Sequence, residues 1–170
     1  KMVYTDREGT GIEAFSFLMP TDWQFEGGIW WLLDQPAMPA NSSIRVFNPA
    51  GAEEFEVLPN SCFFWTTNLQ LLGMFPPGTK YFGSTVKKPV SAGKALSDLV
   101  VPWVRANMPE LKVASCNEFP ELIEFLGIGK NNSEGLSNKA EAAKIRITYQ
   151  KNGIPIDEEI WGVVEKISFP

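Results

Sequence analysis

The segment Lys144-Ile145-Arg146-Ile147-Thr148-Tyr149, near the end of the chain, alternates between polar and apolar side chains. Alternation with a period of two is typical of a strand with one buried face. The dipeptide Asn152-Gly153 follows and supplies the positive φ angles of a two-residue hairpin turn. Such a turn pairs Lys151 with Ile154 and places Arg146 opposite Glu159, where opposite charges are favourable. The sequence therefore predicts a closing antiparallel hairpin.

The same register brings one carboxylate, Glu158, beside Ile145 and Ile147 on the apolar face. An unpaired charge there costs free energy, so we expect a β-bulge, a protonated carboxyl group or a charged partner. A bulge is the first choice because it allows both Ile160 and Trp161 to face apolar surroundings. It would leave Glu158 in solvent.

Several short β-rich segments precede this hairpin. The predicted strands are Gly11–Pro20, Ile29–Leu33, Ser43–Phe47, Glu54–Leu58 and Cys62–Thr67, and the predicted loops are Gln35–Asn41, Pro76–Gly78 and Gly129–Asn138. The second strand is a continuous apolar run, which suits burial on both faces. Asn48-Pro49-Ala50-Gly51 is typical of a type I turn, so the third and fourth strands are expected to form a hairpin.

Two helices are predicted in the second half of the chain. Ser91 is the expected N-cap of the first, and Pro102 is expected to kink it or begin its last turn. Its apolar stripe, expected to pack across the sheet, includes Leu96, Leu99, Trp103 and Val104. The second helix begins at Phe119-Pro120-Glu121 and ends at Leu126, with Gly127 as its cap.

The order of these elements lacks the alternation of strands and helices that a parallel sheet requires. It predicts an α+β fold in which helices pack on one antiparallel β-sheet. A length of 170 residues suits a single domain over residues 1–170. Because the chain opens at Lys1-Met2 and the last strand pattern ends abruptly at Phe169-Pro170, we interpret the chain as a domain excised from a longer protein.

The composition excludes some classes of partner. Acidic residues outnumber basic ones by 20 to 15, and the basic residues are scattered, so nucleic acid is not an expected partner. The longest dense apolar run, Ile29–Leu33, is far shorter than a membrane-spanning helix, so no membrane-spanning segment is expected.

The sequence contains no histidine, which excludes Ser-His-Asp and Cys-His catalytic groups and zinc sites that need imidazole. The carboxylate clusters Glu53-Glu54-Glu56 and Asp157-Glu158-Glu159 are expected to be solvated, with Glu158 as the exception to test. Gly127-Ile128-Gly129-Lys130 lacks the residues of a phosphate loop at positions 124 and 131 and is interpreted as a helix cap. No catalytic, metal-binding or cofactor-binding residue is assigned, and no cofactor is expected.

The cysteines and the paired tryptophans remain. Cys62 and Cys116 are expected either to form a disulfide, if the domain is exported, or to stay free and buried. Trp30 and Trp31 are adjacent, so their rings point to opposite faces of a strand. Core packing of both is favoured, and an exposed ring that binds a sugar or an extended peptide is the alternative.

The stretch Phe15-Ser16-Phe17-Leu18-Met19-Pro20-Thr21-Asp22-Trp23 resembles the start of Mog1/PsbP-like domains, in which an aromatic strand runs into a Pro-x-x-Trp corner. The late helix at Ser91 and the hairpin at Asn152-Gly153 follow in the order that such domains use. The resemblance implies an α-β-α sandwich, an exported or lipid-anchored protein, and scaffolding or binding functions. It assigns no site residues to this chain.

These observations favour a non-catalytic binding or scaffold domain of an exported or cell-surface protein, with an unknown protein or small ligand as its partner. A small enzyme that uses Glu158 as a buried carboxylate is one alternative. A carbohydrate-binding module that uses Trp30 or Trp31 is the other.

Overall fold

The computed structural model describes residues 1–129 and 136–168. The chain divides into two compact units, Lys1–Lys88 and Pro89–Pro170. Both contain more strand than helix, and most strand pairs are antiparallel, so the α+β class is confirmed. The single-domain organisation and the α-β-α sandwich stay predictions.

The first unit contains three small sheets and a short helix. Its strands are β1 Met2–Thr5, β2 Glu13–Phe17, β3 Gln24–Trp31, β4 Ala40–Phe47, β5 Glu54–Val57, β6 Phe63–Phe64, β7 Lys80–Tyr81 and β8 Ser84–Val86, and α1 is Leu69–Met74. The sheets have the orders β1-β2, β3-β4-β5 and β6-β8-β7, and the β6-β8 pair is parallel.

An aromatic cluster connects the β1-β2 hairpin to β3. The Tyr4 and Phe15 rings stack with centroids 4.8 Å apart, and Phe25 of β3 lies 6.3 Å from Phe15 and 5.9 Å from Phe17. Offset and tilted aromatic contacts at such distances stabilise beyond the area they bury. The predicted first strand is confirmed as β2, which ends before Pro20.

The hairpin predicted at Asn48-Pro49-Ala50-Gly51 is also confirmed. The Gly51 amide donates to the Asn48 carbonyl at 3.3 Å, and β4 pairs with β5 in register from Ile44 opposite Val57 to Phe47 opposite Glu54. The predicted loop Gln35–Asn41 is shorter than expected, because its last two residues, Ala40 and Asn41, belong to β4.

Two predictions in this unit were incomplete. Only Phe63–Phe64 of the predicted strand at Cys62–Thr67 is strand. The helix α1 was missed, although Asn68 is its N-cap and accepts from the Gln70 and Leu71 amides at 3.0 and 3.1 Å. A helix of this length has too few residues to display an apolar period.

In the described part of the second unit, the strands form one three-stranded antiparallel sheet of order β11-β10-β9. Its strands are β9 Lys112–Glu118, β10 Ser137–Lys151 and β11 Ile154–Ser168. The hairpin register is confirmed: Lys151 pairs with Ile154 and Arg146 with Glu159, across a turn in which Asn152 and Gly153 have φ of 54° and 79°. Residues 130–135 of the predicted loop at Gly129–Asn138 lie outside the described residues, and its last two residues belong to β10.

A helix, α2, covers one face of this sheet. It comprises Ala92–Ala95 in α form, Leu96–Val100 in π form and Val101–Val104 in α form. Ser91 caps it as predicted, accepting from the Lys94 amide at 3.4 Å. The shorter helix α3, Pro120–Leu126, ends at Gly127, whose φ of 66° confirms the predicted cap.

The π segment changes which side of α2 is buried. The Val101 amide donates to the carbonyl of Leu96, five residues back, and Pro102 follows. A widened turn relieves the clash between a proline ring and the carbonyl four residues earlier. The buried positions are therefore Ala92, Leu96, Val101 and Arg105, and Trp103 is 58% exposed. The prediction that Trp103 packs against the sheet was wrong.

The prediction of one antiparallel sheet was also wrong, because the described strands form four separate sheets. The strands β6 and β7 are only two residues long, and β7 lies between Gly78 and Gly83. Short strands limit how far a ladder of hydrogen bonds extends.

Within the part of the chain that the structure describes, no helix is long and apolar enough to cross a bilayer.

Candidate functional site

Glu158 lies on the face of β11 that α2 covers, directly opposite Ile147. The pairing of β10 with β11 is continuous from Ser137 opposite Ser168 to Lys151 opposite Ile154, so this hairpin has no bulge. The prediction that a bulge leaves Glu158 in solvent was therefore wrong. The side chain is 20% exposed and has a partner, Arg105, whose Nε and Nη2 donate to Oε2 and Oε1, each at 2.7 Å. The expected alternative of a charged partner is what the structure shows.

This arrangement gives Glu158 a charged structural partner. Each of its oxygens accepts a hydrogen bond from one guanidinium, in the bidentate geometry that is the strongest form of such a pair. A general base needs an oxygen directed at a substrate proton. We interpret Arg105 and Glu158 as a structural link between α2 and β11.

Other members of the two predicted carboxylate clusters also have partners: Glu54 and Asp157 are paired with arginine, whereas Glu53 accepts from the side-chain amide of Asn48 at 2.9 Å. Arg45 donates to Glu26 at 2.9 Å and to Glu54 at 2.8 Å. The hydrogen bond that it donates to Glu54 is the largest cause of the raised pKa of Arg45. Asp157 is paired with Arg146, which lowers the pKa of that carboxyl group. Within the described residues, no cluster of carboxylates and cysteines has the geometry of a metal site.

Both cysteines have free thiols. The Ser84 hydroxyl donates to Cys62 Sγ at 3.2 Å, and Cys116 is exposed, with its Sγ 3.8 Å from the Gly93 carbonyl. The predicted disulfide is therefore not formed, and Cys116 differs from the expected buried thiol.

The helix-cap interpretation of Gly127 is confirmed, while Lys130 lies outside the described residues.

Trp31, at the end of β3, is 41% exposed. The prediction that it packs in the core was wrong, and its neighbour Trp30 is half-buried rather than fully buried. The apolar run ends at the surface, since Leu33 is 79% exposed. The Trp31 indole nitrogen Nε1 donates to Asp6 Oδ2 at 3.2 Å, which sets the orientation of the ring.

Asp6 is buried, with 1% of its surface exposed, and its carboxylate gathers several donors. It accepts from the Thr10 amide at 2.8 Å, the Thr10 hydroxyl at 3.2 Å and the Gly9 amide at 3.2 Å, besides the indole of Trp31. The backbone hydrogen bond from Thr10 is the largest cause of a lowered pKa for Asp6. A buried carboxylate with this many donors is held in its charged form.

The loop that follows Asp6 supports the ring of Trp31. A Cβ atom on Gly9 would lie only 2.0 Å from Trp31 Nε1, so the indole rests directly on the Gly9 backbone. The Asp6 carbonyl accepts from the Gly11 amide at 2.7 Å, and the Asp6 amide donates to the Ile12 carbonyl at 3.0 Å, which closes the loop. We call Asp6, Gly9, Thr10 and Trp31 the Trp31 platform.

A shallow depression of about 370 Å³ lies beside this loop. It is lined by Val3, Tyr4, Thr5, Arg7 and Glu8. Arg7 and Glu8 directly follow Asp6 in the chain, so the loop that supports the indole also lines an open depression with one positive and one negative side chain. The loop that supports the indole of Trp31 thus borders this depression.

Sequence reasoning missed Asp6, Thr10 and Arg105. The first two carry a recognisable local pattern, because Asp followed by Gly and Thr at three and four residues is typical of a loop closed by side-chain to backbone hydrogen bonds. Arg105 carries no such pattern: it is 53 residues from Glu158 in sequence.

Comparison of the chain with protein-family models, with curated proteins and with solved structures finds no match. The Mog1/PsbP-like resemblance stays a prediction.

Proposed function

We propose that this protein is a non-catalytic binding domain, and that the Trp31 platform is its recognition surface. The observation that supports the proposal is an exposed indole ring whose orientation is set by a buried carboxylate. An exposed aromatic side chain costs free energy in water, and a rigid one loses little conformational entropy when a ligand binds. The location outside the cytoplasm or at a cell surface is part of this proposal and rests on the family resemblance alone.

Carbohydrate binding is the second candidate function, because the Trp31 platform has features that suit a sugar. The apolar face of a sugar ring packs against an indole, and its hydroxyl groups need polar neighbours. Arg7 and Glu8 in the adjacent depression offer a donor and an acceptor. An extended peptide would instead pair with a strand edge such as that of β3, where one amide, that of Ile29, already donates to the Tyr4 hydroxyl at 3.3 Å.

The enzyme alternative has less support. Its best residue, Glu158, is held by Arg105 through both carboxylate oxygens. Catalysis by a single carboxylate would require an oxygen that is free to accept a proton.

The test is an oligosaccharide array probed with wild type, Trp31→Ala and Trp103→Ala. Trp103 is the matched control because it is also an exposed tryptophan, on α2. We expect wild type and Trp103→Ala to bind the same glycans and Trp31→Ala to lose at least tenfold in affinity.

Three outcomes count against the proposal. Absence of glycan binding by wild type would overturn the carbohydrate candidate. Unchanged binding by Trp31→Ala would overturn the platform as the site, and cleavage of an arrayed glycan would overturn the non-catalytic assignment.

A further inference from the structure

The face of the β9-β10-β11 sheet opposite α2 carries a regular array of polar groups. Ile145 and Ile147 of β10 are fully buried on the α2 side, so their neighbours Lys144 and Arg146 lie on the other face. Pairing across the strands aligns Asn117, Lys144 and Trp161 in one row, and Ser115, Arg146 and Glu159 in the next. We call these six residues the Trp161 face.

Trp161 is the aromatic centre of this face and is 56% exposed. Its Nε1 donates to Glu159 Oε1 at 2.5 Å, and its ring meets Phe119 in an edge contact with centroids 5.1 Å apart. Lys144 Nζ lies 4.8 Å from the centre of the Phe119 ring. The indole is therefore oriented from two directions while more than half of the surface of Trp161 stays exposed.

The spacing of the array suits a ligand that crosses the strands. Adjacent strands lie about 4.8 Å apart, so each row presents three side chains over about 10 Å. The first row offers an amide, an ammonium group and an indole, and the second a hydroxyl, a guanidinium and a carboxylate. A ligand with many closely spaced hydroxyl groups can use donors and acceptors of both kinds.

The charges cancel when Asp157, two residues from Glu159 on the same face of β11, is counted with this face. Lys144 and Arg146 are balanced by Asp157 and Glu159, and Arg146 is already paired with Asp157. A polyanion would find no excess positive charge here, and the chain as a whole carries a net charge of −5. The face is complementary to a neutral ligand.

A peptide fits the observations less well than a sugar. Extended peptides bind sheets by adding a strand at an edge, where backbone donors and acceptors are open. The central strand of this face, β10, is paired on both sides over Ala143–Thr148, so its backbone groups are used within the sheet. Only side chains are left to contact a ligand on the face.

We propose that the Trp161 face binds a neutral polysaccharide strand, with one sugar ring packed on the indole of Trp161 and hydroxyl groups bonded to Asn117, Lys144 and Ser115. This site shares no residue with the Trp31 platform, and the proposal does not depend on it.

The test uses the full chain and two probes, a β-1,4-linked glucose hexamer and a β-1,4-linked N-acetylglucosamine hexamer, with polygalacturonate as the anionic control. Indole N–H resonances are followed by NMR, and that of Trp161 is assigned from its loss in Trp161→Ala. We expect at least one neutral hexamer to shift the Trp161 resonance in a saturable way and to leave that of Trp103 in place. Trp161→Ala should weaken binding at least tenfold, and Trp103→Ala should not.

The design separates this proposal from the previous one. Trp31→Ala should leave the Trp161 shift unchanged, so each site is judged by its own resonance. If circular dichroism shows that Trp161→Ala fails to fold, Asn117→Ala replaces it. Asn117 is exposed, so this variant should keep the fold. It should weaken binding at least threefold, because it removes one of the proposed hydrogen bonds to the ligand. The proposal would be overturned if neither hexamer shifted the Trp161 resonance. It would also be overturned if polygalacturonate bound more tightly than both hexamers.

Discussion

At the scale of single residues, the buried carboxylate of Asp6 and the half-buried carboxylate of Glu158 accept hydrogen bonds from different kinds of donor. Glu158 faces one guanidinium, whereas Asp6 faces two amides, a hydroxyl and an indole. Both are satisfied by groups that fix neighbouring structure. Glu158 connects a helix to a sheet, and Asp6 orients an exposed ring.

Removal of Arg105 tests the first of these roles. Arg105→Ala leaves Glu158 next to isoleucines without its partner, and we expect a loss of about 3 kcal/mol in the free energy of unfolding measured with urea. The double variant Arg105→Leu with Glu158→Leu should recover most of that loss, because an apolar pair needs no compensating charge. A single variant as stable as wild type would show that the ion pair is unimportant.

The lowered pKa of Asp6 predicts a pH dependence. The folded state holds the carboxylate in its charged form, so its contribution to stability is fully present above the pKa of the unfolded chain, about 3.9. It declines as the pH falls below that value and is lost as the pH passes through the lower pKa of the folded state. The stability difference between wild type and Asp6→Asn should therefore be constant between about pH 5 and about pH 7 and shrink in more acidic solution. A difference that grows on acidification would contradict this assignment.

At the scale of elements, the π segment of α2 decides which side chains meet the sheet. The buried positions are four, five and four residues apart, from Ala92 through Leu96 and Val101 to Arg105. A regular helix would have turned Trp103 toward the sheet instead. The extra residue in the widened turn also places Arg105 where it reaches Glu158.

A pair of alanine variants measures this change of face. Leu96→Ala should cost about 2–5 kcal/mol, because Leu96 is 3% exposed and packs against Gly162. Trp103→Ala should change stability by about 0.5 kcal/mol or less, as expected of a surface position. Urea unfolding of both variants gives the comparison, and equal losses would show that α2 packs as a regular helix.

Two glycines with open surroundings should respond to alanine with opposite signs. Gly153 has a φ of 79°, so Gly153→Ala should destabilise by about 1–2 kcal/mol through backbone strain. Gly73 lies within α1, and Gly73→Ala should stabilise by about 0.5–1 kcal/mol because alanine restricts the unfolded chain. Neither added Cβ would contact another residue within 4 Å. Thermal melts that shift in the same direction would contradict the backbone argument.

At the scale of the whole molecule, the chain contains two compact units, and the single-domain prediction expects them to unfold together. Pulsed hydrogen exchange with mass spectrometry can follow peptides of residues 1–88 and 89–170 separately at each urea concentration. Coincident midpoints are the expected result. Midpoints that differ beyond error would show two independently folding domains.

The sequence by itself determined the local elements whose information is contained in a few neighbouring residues. The Asn152-Gly153 turn and its register, the Asn48–Gly51 turn, the Ser91 cap and the Gly127 cap were all predictable, because each depends on backbone conformations that specific residues favour. The lack of histidine in the sequence likewise excludes catalytic groups built on imidazole from this chain.

Only the tertiary structure decided which surfaces are buried and which residues meet. The burial of Leu96 and exposure of Trp103 depend on a π turn, and Glu158 depends on Arg105, a partner 53 residues away. The separation of the described strands into four sheets and the exposure of Trp31 depend on which strands pair. Contacts between residues distant in the chain are selected by packing of the whole fold, and a local pattern carries little information about them.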